Sequence, residues 1–168
     1  MLSQLIRRIC ILLVLPFLIT IHVPAVLAQD SEDQMMKIVY HADFADPRRF
    51  SAMLTSIYNM ATTYENDLAD YDIRIVFVAH GIRFLTDDKL EGTPFVADGV
   101  LEERRENLRG RLKSLVSTKG VKLELCDITR TQIDRPKEAF YKSVKMVTSG
   151  VVRITELQRK GFAYLKIE

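Results

Sequence analysis

The sequence has few cysteines, and this shortage restricts what the chain can do. Two cysteines occur in 168 residues, Cys10 and Cys126. Cys10 lies in an apolar leader that we expect to be removed, which leaves Cys126 as the one thiol of the mature chain. An internal disulfide is therefore excluded. In an exported protein, an odd cysteine is either a reactive thiol or an intermolecular partner.

Excess charge is also lacking, which argues against a nucleic-acid-binding protein. The chain has 24 basic and 22 acidic side chains, a formal net charge of +2. Arg7 and Arg8 belong to the leader, which holds no acidic residue, so the rest of the chain has 22 of each sign and no net charge. No stripe of Lys and Arg with interleaved aromatic residues occurs either, so we expect no nucleic acid partner.

Several cofactor and catalytic signatures are absent. No Gly-x-Gly-x-x-Gly follows the first predicted strand, and the chain contains neither a Walker lysine loop nor a Gly-x-Ser-x-Gly elbow. No Cys-x-x-Cys or His-x-x-x-His spacing places two metal ligands on one element. We therefore expect no cofactor and no metal; zinc or copper held by Cys126, His41 and His80 is the alternative.

The first 28 residues have the pattern of an export signal. Arg7 and Arg8 form a basic start, residues 9–23 are almost wholly apolar, and Val26-Leu27-Ala28 offers the small residues that a signal peptidase reads. An uncleaved anchor is the alternative, because the apolar run approaches the roughly 20 residues of a membrane span. We expect cleavage, a periplasmic or secreted protein without membrane contact, and one domain over residues 29–168.

The rest of the chain alternates strands with helices. Ile75–Ala79 is a continuous apolar, β-branched and aromatic run, which is typical of a strand buried on both faces. Apolar residues at spacings of three and four predict helices over residues 47–66 and 101–119. Further strands are predicted at 36–40, 121–126, 145–147 and 162–167, and further helices at 137–142 and from 150 to about 160. This order predicts a three-layer α/β/α fold with a mainly parallel, five-stranded, Rossmann-like sheet.

Three predicted strands end in residues with useful chemistry: His41, His80 and Cys126. The carboxyl ends of parallel strands share one edge, where ligands bind, so two imidazoles and a thiol could converge there. A nearby imidazolium would favour the thiolate, which is the nucleophilic form. The alternative is structural: a small buried cysteine, and histidines whose ring nitrogens bond the backbone.

Backbone groups extend the candidate site. Gly81 follows His80 and is the residue that best tolerates a tight turn. Ser149 and Gly150 begin a predicted helix, where free amides form a weak anion site or the serine forms an ordinary cap.

The order and spacing of these segments resemble the DsrE/DsrF-like family, specifically its small exported single-domain members. The resemblance is carried by Lys37–His41, Asn59, Ile75–Ile82 with Phe84 and Leu85, Gly120–Cys126 with Thr129, Thr148–Val151, Glu156–Gln158 and Gly161–Leu165. It spans nearly all of the chain after the leader. It implies a Rossmann-like α/β/α sheet, homotrimers or homohexamers and, for some members, a sulfur relay in which a cysteine carries a persulfide.

Cys126 is similar in position to the cysteine after the third strand of the exported relatives, whereas the cytoplasmic relay proteins carry their sulfur-accepting cysteine in another segment. The resemblance therefore implies an exported protein that handles sulfur through Cys126, as a persulfide carrier or in a relay with a donor or acceptor protein. The residues expected to surround that thiol are His80, Gly81, His41, Asn59, Ser149 and Gly150. The alternative is a non-catalytic oligomeric module that binds a small ligand and in which Cys126 is structural.

Overall fold

A computed structural model describes residues 35–168, so the predicted signal over residues 1–28 lies outside the described residues. The strands are β1 (Met36–Ala42), β2 (Tyr71–Phe77), β3 (Lys122–Cys126), β4 (Val144–Val147) and β5 (Ala163–Leu165). The helices are α1 (Pro47–Asn66), α2 (Gly99–Lys119), α3 (Asp127–Gln132) and α4 (Gly150–Arg159), and 3-10 turns cover Ala79–Phe84 and Lys137–Ala139. Within residues 35–168, no helix has the length and apolar character needed to cross a bilayer.

The five strands form one sheet in the order β4-β3-β2-β1-β5, and every pair is parallel. This confirms the predicted α/β fold, and the sheet is wholly rather than mainly parallel. The predicted buried strand, β2, lies at the centre. Because β4 and β5 lie at opposite edges, the connection that contains α4 must cross the whole sheet, and α4 contacts β1, β2 and β3 on the way.

The two faces of the sheet are covered unequally. The first face, which includes Ile75 and Phe77, packs against α1 and α2 in a large apolar core. The second face, which includes Val39 and Val76, packs against Ile154 and Leu157 of α4 in a much smaller cluster. Neighbouring residues along a strand point to opposite faces. One short helix therefore covers the second face over three strands.

Local signals in the sequence fix where the two long helices begin and end. Before α1, the carboxylate of Asp46 accepts a hydrogen bond from the Arg48 N–H at 2.7 Å, and Pro47 occupies the first helical turn. α2 ends at Gly120, whose left-handed φ of 64° suits glycine.

Three segments differ from the prediction. The chain enters α3 directly after Cys126, where no helix is predicted from the sequence. The predicted helix over 137–142 is a single 3-10 turn, because Phe140 turns into the core and the Tyr141 N–H donates to the Leu85 carbonyl at 3.0 Å. The closing strand is shorter than predicted because β5 is an edge strand that pairs with β1 over three residues.

Candidate functional site around Cys126

The carboxyl ends of β1, β2 and β3 are adjacent, and each brings one candidate residue to the same edge of the sheet. His41 is in β1, His80 is in the 3-10 turn after β2, and Cys126 ends β3. His41 lies two residues after Val39, so it shares the second face with that valine. This face is the one that α4 covers.

The Cys126 side chain is buried between the starts of two helices. It is 4% exposed and is the N-cap residue of α3. The first residue of α4, Gly150, lies against it so closely that a Cβ on Gly150 would be 3.1 Å from the Cys126 Cβ and 2.5 Å from Cγ2 of Val78. Glycine is therefore required at position 150 by close approach.

This environment favours the thiolate form of Cys126. Burial raises the pKa of the Cys126 thiol, but hydrogen bonds from the backbone N–H groups of Gly150, Thr129 and Ile128 and from the Thr129 hydroxyl together lower that pKa below its ordinary value. The first N–H groups of a helix have no partner within the helix and carry a partial positive charge. The first turns of α3 and α4 thus place partial positive charge beside the sulfur, which stabilises a thiolate.

The carboxylate next in sequence does not cancel this effect. Asp127 could oppose a thiolate by charge repulsion. However, its Oδ1 accepts a hydrogen bond from Nε of Arg130 at 2.6 Å, so its charge is balanced within α3.

Thr129 connects the thiol to the turn after β2. Its side chain is 4% exposed, and its hydroxyl accepts a hydrogen bond from the Ala79 N–H at 3.2 Å. Because a hydroxyl can accept and donate at once, its own hydrogen stays free for the sulfur of Cys126. Ala79 has φ 48°, an unusual value for a residue with a side chain, and the bond to Thr129 stabilises that turn.

His80 lies in the same turn, yet its ring packs on a different neighbour. The imidazole meets Phe95 edge-on, with ring centroids 5.2 Å apart. Its Nδ1 is buried and has no hydrogen-bond partner among residues 35–168. The pKa of Cys126 is lowered by amide and hydroxyl groups, so a role for His80 in orienting or activating the thiol stays a prediction.

His41 lies two strands away from the thiol. Neighbouring strands are about 4.8 Å apart, which places β1 about 10 Å from β3. Nδ1 of His41 is 3.0 Å from the Tyr164 hydroxyl, and its Nε2 is buried without a partner in the described part of the chain. Burial lowers the pKa of His41, the Asp43 carboxylate partly offsets this, and Lys166 lowers the pKa further.

The remaining predicted site residues, Gly81, Ser149, Gly150 and Asn59, have different environments in the structure. Gly81 has no positive φ; it is required because a Cβ there would lie 2.0 Å from the Ala42 carbonyl oxygen. Ser149 caps α4, accepting a hydrogen bond from the Val152 N–H at 3.5 Å, while the Gly150 amide serves the thiol. Asn59 is exposed on α1, about 18 Å along that helix from its start at the strand ends, so the structure does not bring it to Cys126.

Three residues near the thiol are not among the site residues predicted from the sequence: Thr129, Glu124 and Arg153. Thr129 follows Cys126 by three residues, a spacing that would have indicated a helix-start contact had α3 been predicted. Glu124 and Arg153 form an ion pair between β3 and α4, with Arg153 Nε 2.6 Å from Glu124 Oε2. Their partnership across 29 residues has no local sequence signal.

Two further features of the surroundings bear on ligand binding. A cavity of about 350 Å³ lies between β4 and α4, and its lining includes Lys145, Ser149, Arg153 and Glu156. Within residues 35–168, no group of three or more His, Cys, Asp and Glu side chains is arranged to hold a metal ion.

Comparisons with known proteins give a family and a fold. The model of the DsrE/DsrF-like family matches residues 34–167. The structure of a protein of unknown function, MTH1491 from Methanobacterium thermoautotrophicum, superimposes with a TM-score of 0.59 at 21% identity over 78% of this chain and 98% of that chain. The ychN protein from E. coli gives a TM-score of 0.48 at 18% identity over 79% and 99%. No curated protein matches.

Proposed function

Because this chain belongs to the DsrE/DsrF-like family, we propose that it is an exported protein that handles sulfur through Cys126, as a persulfide carrier or a relay. The observation that carries this proposal is the position of the thiol between the first turns of α3 and α4, whose N–H groups lower its pKa despite its burial. The thiolate is the nucleophile in exchange at sulfur. A lowered thiol pKa favours the form that sulfur transfer requires, which supports the proposal.

The proposed step is a displacement at sulfur that needs no external oxidant. The Cys126 thiolate attacks the outer sulfur of a donor persulfide, R–S–SH, and forms a new S–S bond. The S–S bond of the donor breaks, and its electron pair leaves with the donor as R–S⁻. The product is Cys126–S–SH, and an acceptor thiolate removes the outer sulfur by the same reaction in reverse.

The burial of Cys126 restricts which molecules reach it. At 4% exposure, the sulfur is more accessible to a small persulfide or to a thiol on a narrow protein segment than to a bulky reagent. Ile128 and Val151 are 48% and 59% exposed in the two turns that hold the thiol, and they offer an apolar surface for a donor or acceptor protein. A homotrimer or homohexamer is part of the proposal on family grounds.

The test is the mass of the protein after reaction with a persulfide donor. We expect the Cys126 peptide to gain the mass of one sulfur atom, to lose it when a reductant is added, and to gain nothing in C126S. The same variant separates Cys126 from Cys10, because a chain that keeps its leader still has the Cys10 thiol. A wild-type protein that gains no sulfur on Cys126 would contradict the proposal.

Export is tested separately. After expression of the full chain, we expect the protein in the periplasmic or secreted fraction, with Gln29 at its N-terminus. A protein found in the membrane fraction with residues 1–28 attached would instead support the anchor.

A second function has a specific observation in its favour. The close packing of Gly150 against Cys126 is also what a structural cysteine shows, and the cavity between β4 and α4 could hold a small ligand beside Ser149 and Arg153. This oligomeric binding module would keep Cys126 unreactive toward iodoacetamide until the protein unfolds. Alkylation of the folded protein would support sulfur handling.

A further inference from the structure

A buried carboxylate shares a strand face with the thiol. Glu124 is 1% exposed and lies two residues before Cys126 in β3, so both side chains face α4. Burying an unpaired carboxylate costs free energy, so the burial of Glu124 depends on the partners of its carboxylate.

The partner from α4 holds this carboxylate at two points. Arg153 donates from Nε to Oε2 at 2.6 Å and from Nη2 to Oε1 at 2.9 Å. Arg74 of β2 adds a third bond to Oε1 at 3.0 Å and is itself held by Asp72. A paired Arg–carboxylate contact fixes orientation as well as distance.

The Glu124–Arg153 ion pair and the contact between Cys126 and Gly150 both join β3 to α4. Glu124 and Cys126 are two residues apart on β3, and their partners Arg153 and Gly150 are three residues apart, about one turn, on α4. Little space is left between Gly150 and Cys126, because a Cβ on Gly150 would lie 3.1 Å from the Cys126 Cβ. α4 is also held over the sheet by a small apolar cluster that includes Ile154 and Leu157.

We propose that the Glu124–Arg153 pair positions the first turn of α4 and thereby holds the Gly150 N–H on the Cys126 sulfur. Glu124 and Arg153 are positioning residues, since neither needs to touch the sulfur that is transferred. The inference deepens the proposed function, since it explains how the reactive state of the same thiol is maintained.

For the substitution E124Q, our inference and a simple charge effect predict opposite changes in the pKa of Cys126, so the two can be distinguished. The charged groups around the pair are Arg74 and Asp72 from β2, Lys145 opposite Glu124 on β4, and Glu156 on α4. In E124Q the negative charge is lost, so charge alone would stabilise the thiolate and lower the pKa of Cys126. Loss of the paired contact to Arg153 would instead loosen α4 and raise that pKa.

The experiment follows thiolate formation by ultraviolet absorbance and amide exchange by mass spectrometry in the purified protein. For E124Q we expect a higher Cys126 pKa, with a loss of thiolate at neutral pH of about threefold to tenfold, the effect of one net hydrogen bond. Exchange of the amides at the start of α4 should become faster. R153K, which keeps the charge without the paired geometry, should give a smaller change in the same direction.

R159Q is the matched control, because Arg159 is exposed at the end of the same helix, and we expect it to leave both readouts unchanged. If E124Q does not fold, the double variant E124M/R153M replaces it, since Arg74 keeps Asp72 as its partner. An unchanged or lower Cys126 pKa in the folded variant overturns the inference, as does a wild-type thiol that does not titrate before unfolding. If the variants show the expected shifts but the wild-type protein accepts no sulfur, the proposed function alone is overturned.

Discussion

Substitution of Gly150 by alanine tests the central contact of the site. The added methyl would lie 2.5 Å from Val78 Cγ2, far inside ordinary contact distance, and 3.1 Å from Cys126 Cβ, which is too close by a few tenths of an ångström. We therefore expect the first turn of α4 to move away from Val78 and Cys126 in G150A. That movement separates the amide of residue 150 from the thiol.

Two opposing terms set the loss of stability. Overfilling a packed interior costs about 1–3 kcal/mol, whereas replacing glycine by alanine in a helix gains up to about 1 kcal/mol. We expect G150A to lower the free energy of unfolding by about 1–2 kcal/mol. A hydrogen bond to a charged group contributes about 1.5–3 kcal/mol, and one pKa unit corresponds to about 1.4 kcal/mol, so the pKa of Cys126 should rise by about one to two units.

Urea denaturation measures the first effect, and the pH dependence of iodoacetamide alkylation measures the second. G110A is the matched control, because Gly110 lies within α2 and a Cβ there meets nothing within 4 Å. That variant should be more stable than wild type by about 1 kcal/mol and keep the thiol pKa. A G150A protein with the stability and thiol pKa of wild type would refute the close contact between α4 and Cys126.

Two more predictions concern the groups beside the thiol and at the far strand. T129V removes the hydroxyl that bonds both the sulfur and the Ala79 N–H, so we expect a higher thiol pKa and a free energy of unfolding lower by about 1–3 kcal/mol in denaturant. T129S keeps a hydroxyl and should restore most of both quantities. A T129V protein with the thiol pKa of wild type would contradict a hydrogen bond from Thr129 to the sulfur. The folded pKa of His41 lies below its ordinary 6.5 because burial outweighs the nearby carboxylate, so the unfolded chain takes up the proton first. Stability is then fully present above the ordinary pKa of 6.5 and is lost as the pH falls through 6.5 toward the lower folded pKa. H41Q should lose that part of the pH dependence, and an unchanged profile in H41Q would show that another group causes it.

The strands and long helices could be predicted because their signals are local. The apolar run at Ile75–Ala79 gives the central strand, and Asp46 with Pro47 gives the start of α1. The predicted strand extends two residues beyond the end of β2, because Ala79 leaves the sheet with a positive φ that no sequence signal marks. Apolar residues can lie in a strand or in the turn that follows it, and hydrophobicity does not distinguish the two.

The candidate site could be predicted in outline but not in its contacts. Parallel strands put His41, His80 and Cys126 on one edge, as expected. The groups that contact the sulfur come from α3, which was not predicted, and from α4, whose path across the sheet depends on β4 and β5 lying at opposite edges. The burial of Glu124 depends on Arg74 and Arg153, which lie 50 and 29 residues away in sequence.

The use of amides rather than an imidazolium at Cys126 has a chemical consequence. An imidazolium activates a thiol only below its own pKa and loses its charge as the pH rises above that value. The N–H groups of Gly150, Ile128 and Thr129 do not titrate, so they support the thiolate at every pH at which the fold is stable. Their effect depends instead on geometry, because a hydrogen bond weakens steeply once its distance and angle change. In the proposed function, the reactivity of Cys126 therefore depends on what fixes α4 to β3, a role that we infer for the close approach at Gly150 and for the Glu124–Arg153 pair.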